Sequence, residues 1–190
     1  MRAKTRKSIF LALLLLACGD LFAFEISAGI LYGPRSVNDR EIKKTYGKGM
    51  VFSPYLSIGV MYGIFLGIGY EGGYSRTASL GLYQEKGTLK MEGYEIFIGY
   101  QLKAKYVSPY IKLGYNYYTY RQTVESPFLE IFKVDDHKST VSFGGGLKTH
   151  LLKFLYLAFE ARYVPLKVKP YDIEVDLGGI RYLGGIGFTL

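Results

Sequence analysis

Phe24-Glu25-Ile26-Ser27-Ala28-Gly29-Ile30-Leu31-Tyr32 is the stretch whose reading decides the fold. Every second residue, Phe24, Ile26, Ala28, Ile30 and Tyr32, is apolar, and Glu25, Ser27, Gly29 and Leu31 stand between them. Neighbouring side chains of a strand point to opposite faces, so this segment has one greasy face and one mostly polar face. The same parity returns in seven further segments. Phe52, Leu56 and Ile58 mark the second, with Pro54 and Val60 in phase; Ile64, Leu66, Ile68 and Tyr70 mark the third. Tyr94, Ile96, Ile98 and Tyr100 define the fourth, and Ile111, Leu113, Tyr115 and Tyr117 the fifth. The sixth carries Val141, Phe143, Leu147 and Leu151, the seventh Leu155, Leu157, Phe159, Ala161 and Tyr163. Ile180, Tyr182, Ile186, Phe188 and Leu190 form the last.

None of these apolar faces carries a charge; the charges Glu25, Glu71, Glu95, Lys112, Lys148, Glu160, Arg162 and Arg181 all have the opposite parity. A water-soluble barrel would hide its apolar face and scatter charge outside. The reverse arrangement predicts an all-β, eight-stranded antiparallel transmembrane β-barrel. The lengths of the connections agree. Tyr62-Gly63, Lys103 to Tyr106 and Leu152 to Phe154 are tight; Gly33 to Met50, Ser75 to Thr88, Arg121 to Ser139 and Pro165 to Asp176 are long and polar. Outer-membrane barrels pair short periplasmic turns with long outer loops. Tyr32, Tyr70, Tyr100, Tyr117, Tyr163 and Tyr182 stand where aromatic girdles belong.

The N-terminus reads as an export signal. Arg2, Lys4, Arg6 and Lys7 precede the apolar Ile9 to Ala17, which is too short for a transmembrane helix, and Leu21-Phe22-Ala23 offers a cleavage point. We therefore expect a signal peptide over 1–23 and a barrel domain over 24–190. Leu15-Leu16-Ala17-Cys18 resembles a lipobox, which leaves lipid modification of Cys18 as the competing reading. Loss of four basic residues and Asp20 with the signal lowers the formal charge from +8 to +5, gathered in no single patch, which does not favour nucleic acid.

Ser53-Pro54-Tyr55-Leu56-Ser57-Ile58-Gly59 is echoed by Ser108-Pro109-Tyr110-Ile111-Lys112-Leu113-Gly114. With Gly144-Gly145-Gly146-Leu147 and the run from Leu155 to Pro165, these segments resemble the small outer-membrane β-barrel family typified by the OmpA membrane domain and OmpX. The resemblance covers the whole stretch after the signal and implies a bacterial outer-membrane location, insertion by the barrel-assembly machinery and contact with outer-membrane lipid. Members commonly end in an aromatic residue, whereas Gly187-Phe188-Thr189-Leu190 ends in leucine.

Several motifs need weighing. Gly67-Ile68-Gly69-Tyr70-Glu71-Gly72 matches a dinucleotide-binding pattern, but that chemistry requires a strand followed by a helix. Inside a strand, such glycines make room for Phe65 and Tyr110. Glu71, Glu95, Lys112, Glu160, Arg162 and Arg181 are expected to pair inside the barrel as a plug, since unpaired buried charge is costly; a narrow ion path is the alternative. His150, near a periplasmic turn, and His137, in Asp135-Asp136-His137, show no nucleophile-and-base arrangement. A solvated turn is the plain reading of those two aspartates, and weak cation binding the other. Phe128, Leu129, Ile131 and Phe132 are apolar groups in the third outer loop, offering a contact surface or folding over the barrel mouth. The 75–91 segment can continue as a hairpin above the membrane, a protruding sheet that offers an edge for strand addition to a partner. Arg35, Arg40, Lys43, Lys44 and Lys48 outnumber Asp39 and Glu41 in the first loop, a surplus suited to lipopolysaccharide or acidic glycans.

The sequence thus points to a non-enzymatic surface barrel serving adhesion, host-factor binding or envelope integrity. It calls for no cofactor or metal. A small channel is the second reading, and a lipid A-modifying enzyme the third.

Overall fold

The computed structural model describes residues 25–60, 62–81, 83–104, 106–126, 132–170 and 173–190. The expected signal segment and Cys18 therefore lie outside the described residues, as do Phe128, Leu129 and Ile131. Phe132 opens a strand, but its side chain is outside the description as well.

Eight antiparallel strands close a barrel: β1 (Glu25–Arg35), β2 (Gly49–Gly59), β3 (Ile64–Leu80), β4 (Glu85–Gln101), β5 (Val107–Glu125), β6 (Phe132–His150), β7 (Leu155–Val164) and β10 (Gly179–Thr189). Each pairs with its sequence neighbour, and β1 seals the barrel by pairing with β10, Ala28 opposite Phe188 and Leu31 opposite Gly185. A short helix, α1 (Arg40–Tyr46), lies between β1 and β2. A two-residue hairpin, β8 (Lys167–Val168) with β9 (Val175–Asp176), fills the connection from β7 to β10.

The barrel is turned inside out. Ile30, Ile68, Ile96 and Ile111 are each more than half exposed, at 57%, 57%, 66% and 67%, while Arg35 and Arg181 have no exposure at all. Tyr32, Phe52, Tyr70, Tyr94 and Tyr117 follow one another around the outer rim, and the Phe52–Tyr70 and Tyr70–Tyr94 rings sit 5.6 and 5.3 Å apart. They form the amphipathic belt expected where hydrocarbon meets headgroups.

Glycine makes the narrow interior possible. Phe65 lies across Gly99, Phe97 across Gly67, Tyr110 across Gly146 and Tyr156 across Gly187, each ring occupying the space that a Cβ on the next strand would need. Gly67 of the dinucleotide-like motif is thus a recess for Phe97 within β3, and no helix follows that strand.

Two stretches read as loops are structured. The third outer connection, expected over 121–139, is mostly strand, because β5 continues to Glu125 and β6 already begins at Phe132. Above the membrane the outward face meets water, so Arg121 and Asp135 replace lipid-facing residues and the apolar alternation disappears. The first connection contains α1, whose N-terminus is capped by the Asp39 carboxylate accepting from the Glu41 and Ile42 amides at 3.0 and 3.1 Å. The hairpin over 75–91 does rise above the membrane: Ser75 pairs with Lys90 and Leu80 with Glu85. Together β3 to β6 form a four-stranded sheet standing above the rim.

Filling one of the glycine recesses tests this packing. Gly99→Val pushes against Phe65 and the Ile111 carbonyl; it is expected to cost about 1–3 kcal/mol, read as a lower urea midpoint of the refolded protein in micelles.

Candidate functional site

Seven charged side chains meet in the middle of the barrel. Arg162 on β7 is the hub. Its guanidinium lies 2.6 Å from Glu160 Oε1, 3.2 Å from Glu95 Oε2 and 3.8 Å from Glu71 Oε2. Lys112 Nζ on β5 bridges Glu95 and Glu160 at 3.0 and 3.2 Å. Glu71 on β3 is held from the other side by Arg35 at 3.0 Å and Arg181 at 2.6 Å. The Arg181 contact is close without being aligned as a hydrogen bond. Remaining lone pairs are largely met: Tyr110 Oη donates to Glu160 at 2.9 Å, Ser142 Oγ to Glu95 at 3.0 Å, and Asn116 Nδ2 to Ser142 at 2.8 Å. All seven charged groups are 8% exposed or less. The six charged residues singled out in the sequence are therefore neighbours.

The seventh, Arg35, belongs to β1 and not to a loop. It donates to Glu71 and to the Leu177 carbonyl at 3.1 Å, and its guanidinium sits 5.3 and 5.5 Å from the ring centres of Tyr74 and Tyr118. Its parity gave the signal: Arg35 continues the inward series Glu25, Ser27, Gly29, Leu31, Gly33.

Above the charges lies an apolar lid. Val37, Tyr46 of α1, Tyr74, Leu89, Met91, Tyr118, Tyr120, Val134, Leu166, Val168 and Leu177 form one buried cluster over the outer mouth. Leu166 and Leu177 flank the β8–β9 hairpin and Val168 belongs to it, and the Thr140 hydroxyl donates to the Pro165 carbonyl, tying that connection to β6. Below the charges, Tyr55, Phe65, Phe97 and Tyr110 pack together. Tyr55 and Tyr156 share a hydrogen bond of 2.8 Å between hydroxyls.

The outer sheet carries its own polar ladder. Arg121 meets Asp135 at 2.7 Å, and Lys133 meets it at 3.6 Å. The Asp136 carboxylate accepts from the His137 amide at 2.7 Å and from Tyr120 Oη at 3.0 Å. Those donors hold its carboxyl below the ordinary range, while burial first and Asp136 second push the Tyr120 phenol up to about 12. Asp135, Asp136 and His137 therefore sit within β6 and not in a turn, each aspartate already engaged. Among the described residues, no group of three His, Cys, Asp or Glu could hold a metal. His137 stacks near Tyr117 at 5.3 Å on the outer side; His150 faces Tyr156 at 6.0 Å near the other end of β6. The basic residues of α1, Arg40, Lys43 and Lys44, are exposed, as are Lys48 and Arg76. Arg76 donates to the Lys48 carbonyl at 2.5 Å, fastening β3 to the end of that connection.

Removing the hub takes a shared cation from three buried carboxylates, leaving Lys112 alone with Glu95 and Glu160, and Arg35 with Arg181 on Glu71. Arg162→Met is expected to destabilise the barrel by about 3–5 kcal/mol. The double change Arg162→Met with Glu160→Gln should cost clearly less than the sum of the single changes. Urea midpoints of the four proteins in micelles check this, and strict additivity would dissolve the idea of one coupled cluster.

The chain matches the sequence profile described as outer membrane protein beta-barrel domain over residues 11–180. A search among curated proteins gave no match. Solved structures are similar in fold. OprG from Pseudomonas aeruginosa superposes with a TM-score of 0.58 at 13% identity, covering 88% of this chain and 95% of its own. Ail of Yersinia pestis, bound to the heparin analogue sucrose octasulfate, gives 0.55 at 15% identity, covering 88% and 97%. A de novo designed transmembrane β-barrel gives 0.50 at 11%, covering 88% and 95%. With this profile and this closed barrel, the chain belongs to the outer membrane protein beta-barrel domain family, and its place is the bacterial outer membrane.

Proposed function

We propose that this protein is a non-enzymatic surface barrel whose outer parts bind acidic extracellular partners, in adhesion or host-factor capture. The observation that carries the reading is the double closure of the interior. Buried ion pairs fill the middle, and an apolar lid covers the outer mouth. A barrel filled in this way works through what it displays. What it displays is a four-stranded sheet and α1 beside it, with Arg40, Lys43, Lys44, Lys48 and Arg76 exposed against Asp39 and Glu41. A basic surface raises the local concentration of acidic polymers and speeds their capture. The Ail structure contains a sulfated heparin analogue, which makes heparin a reasonable first probe. Export by a signal peptide cleaved after Ala23, and insertion by the assembly machinery, belong to the same proposal.

Heparin retention of liposomes carrying the refolded protein tests the reading. The triple change Arg40→Glu, Lys43→Glu, Lys44→Glu is expected to weaken retention about tenfold or more near 0.15 M salt, and less at 1 M. Equal retention of parent and variant sinks the polyanion reading. Reproducible single-channel steps in a planar bilayer would replace it with the channel reading.

A further inference from the structure

We propose that Lys148 and Ser57 form a binding site for one small monovalent anion of halide size, reached from the periplasmic end of the barrel. Lys148 is only 5% exposed, and among the described residues no carboxylate forms an ion pair with it. Its ammonium lies instead among three rings, 5.0 Å from the centre of Tyr156, 5.5 Å from Phe65 and 5.9 Å from Tyr110. Ring faces attract a cation but do not cancel its charge.

The charge count sharpens the point. Arg35, Lys112, Lys148, Arg162 and Arg181 are buried cations, against the buried carboxylates Glu71, Glu95 and Glu160. The excess is two; the three carboxylates are all engaged by the four other cations, and Lys148 is the one of the five that pairs with none of them. Buried charge of one sign is costly unless a counter-ion joins it.

Room and a donor are present. Two cavities of about 20 Å³ each flank Lys148, and Ser57 and Phe65 border both. Ser57 is 3% exposed and brings a hydroxyl to the wall of both cavities. Each cavity has room for a body the size of a water molecule or a halide ion. Of the charges facing these cavities, Glu25 is paired with Lys103 at 2.7 Å, and Glu160 with Lys112 at 3.2 Å. Glu25, Gln101 and Lys103 also line a wider concavity of about 500 Å³ among the turns, the route in from the periplasm.

The test is chloride-35 NMR line width with the refolded protein in micelles, at constant ionic strength made up with gluconate. The parent should broaden the line beyond protein-free micelles; Lys148→Met should lose the excess, and Lys90→Met, which removes an exposed lysine of the outer sheet, should keep it. No excess in the parent, or the same excess in Lys148→Met, overturns the site. Bromide-soaked crystals of the parent need no variant: anomalous density touching Lys148 Nζ supports the site, whereas bromide only at exposed lysines, or none, overturns it.

Discussion

In hydrocarbon no water can pair a free backbone group, so every N–H and C=O in the span must bond within the protein. The rest of this structure follows from that constraint. Eight strands satisfy it by closing β1 on β10. Closure then divides the side chains into a lipid-facing set and a set enclosed in a space barely wide enough for them. The outer set has to be apolar, which is why Ile68, Ile96 and Ile111 stand on the surface. The inner set has to fill the tube, and rings lying across glycines on the next strand do so without widening it.

The ion pairs are better understood as a device for register than as a source of stability. Replacing such a cluster by apolar groups can be neutral or stabilising. Here, however, its members come from β1, β3, β4, β5, β7 and β10. A slip of one residue in any of those strands would turn a charge toward lipid, at about 2–4 kcal/mol for Arg or Lys near the bilayer midplane. Correct pairing brings Arg162 within reach of three carboxylates at once. The cost of each wrong register is therefore high, whereas the net gain of the right one is modest.

Legibility in the sequence followed the solvent. Wherever lipid touches the barrel, period-two alternation had nothing to compete with, and strands such as Ile64 to Tyr70 and Tyr94 to Tyr100 were plain. The outer halves of β5 and β6 were not, because Arg121 and Asp135 face water there while Tyr120 and Val134 face the lid. Both faces then read as loop composition. Arg35 was hidden for a related reason: the apolar alternation of β1 stops at Tyr32, although the inward series runs on through Gly33 to Arg35. The lid itself was hidden, because Val37, Leu166 and Leu177 come from connections without periodicity and meet only in three dimensions. The glycine recesses were half visible; sequence showed that room was made, and only the pairing register tells which ring each glycine receives.

The two ends of the tube are built differently, and that difference bears on function. At the outer mouth, apolar contacts from α1, β8 and the upper parts of β4 to β6 bury Leu89, Met91 and Tyr118 almost completely. At the other end the turns are short, and small cavities reach inward past Lys148 to Lys112 and Glu160 at the edge of the charge cluster. A through-path would have to break the lid and at least part of the Arg162 cluster together, two closures of unlike chemistry stacked on one axis. A fault in one leaves the other in place. The seal allows the outer connections to change their surface residues without exposing the charges beneath, provided that Leu166, Val168 and Leu177 keep their places. The fold thus separates what must stay constant, the charged interior and its cover, from what is free to vary toward a partner: the outward faces of α1 and the projecting sheet.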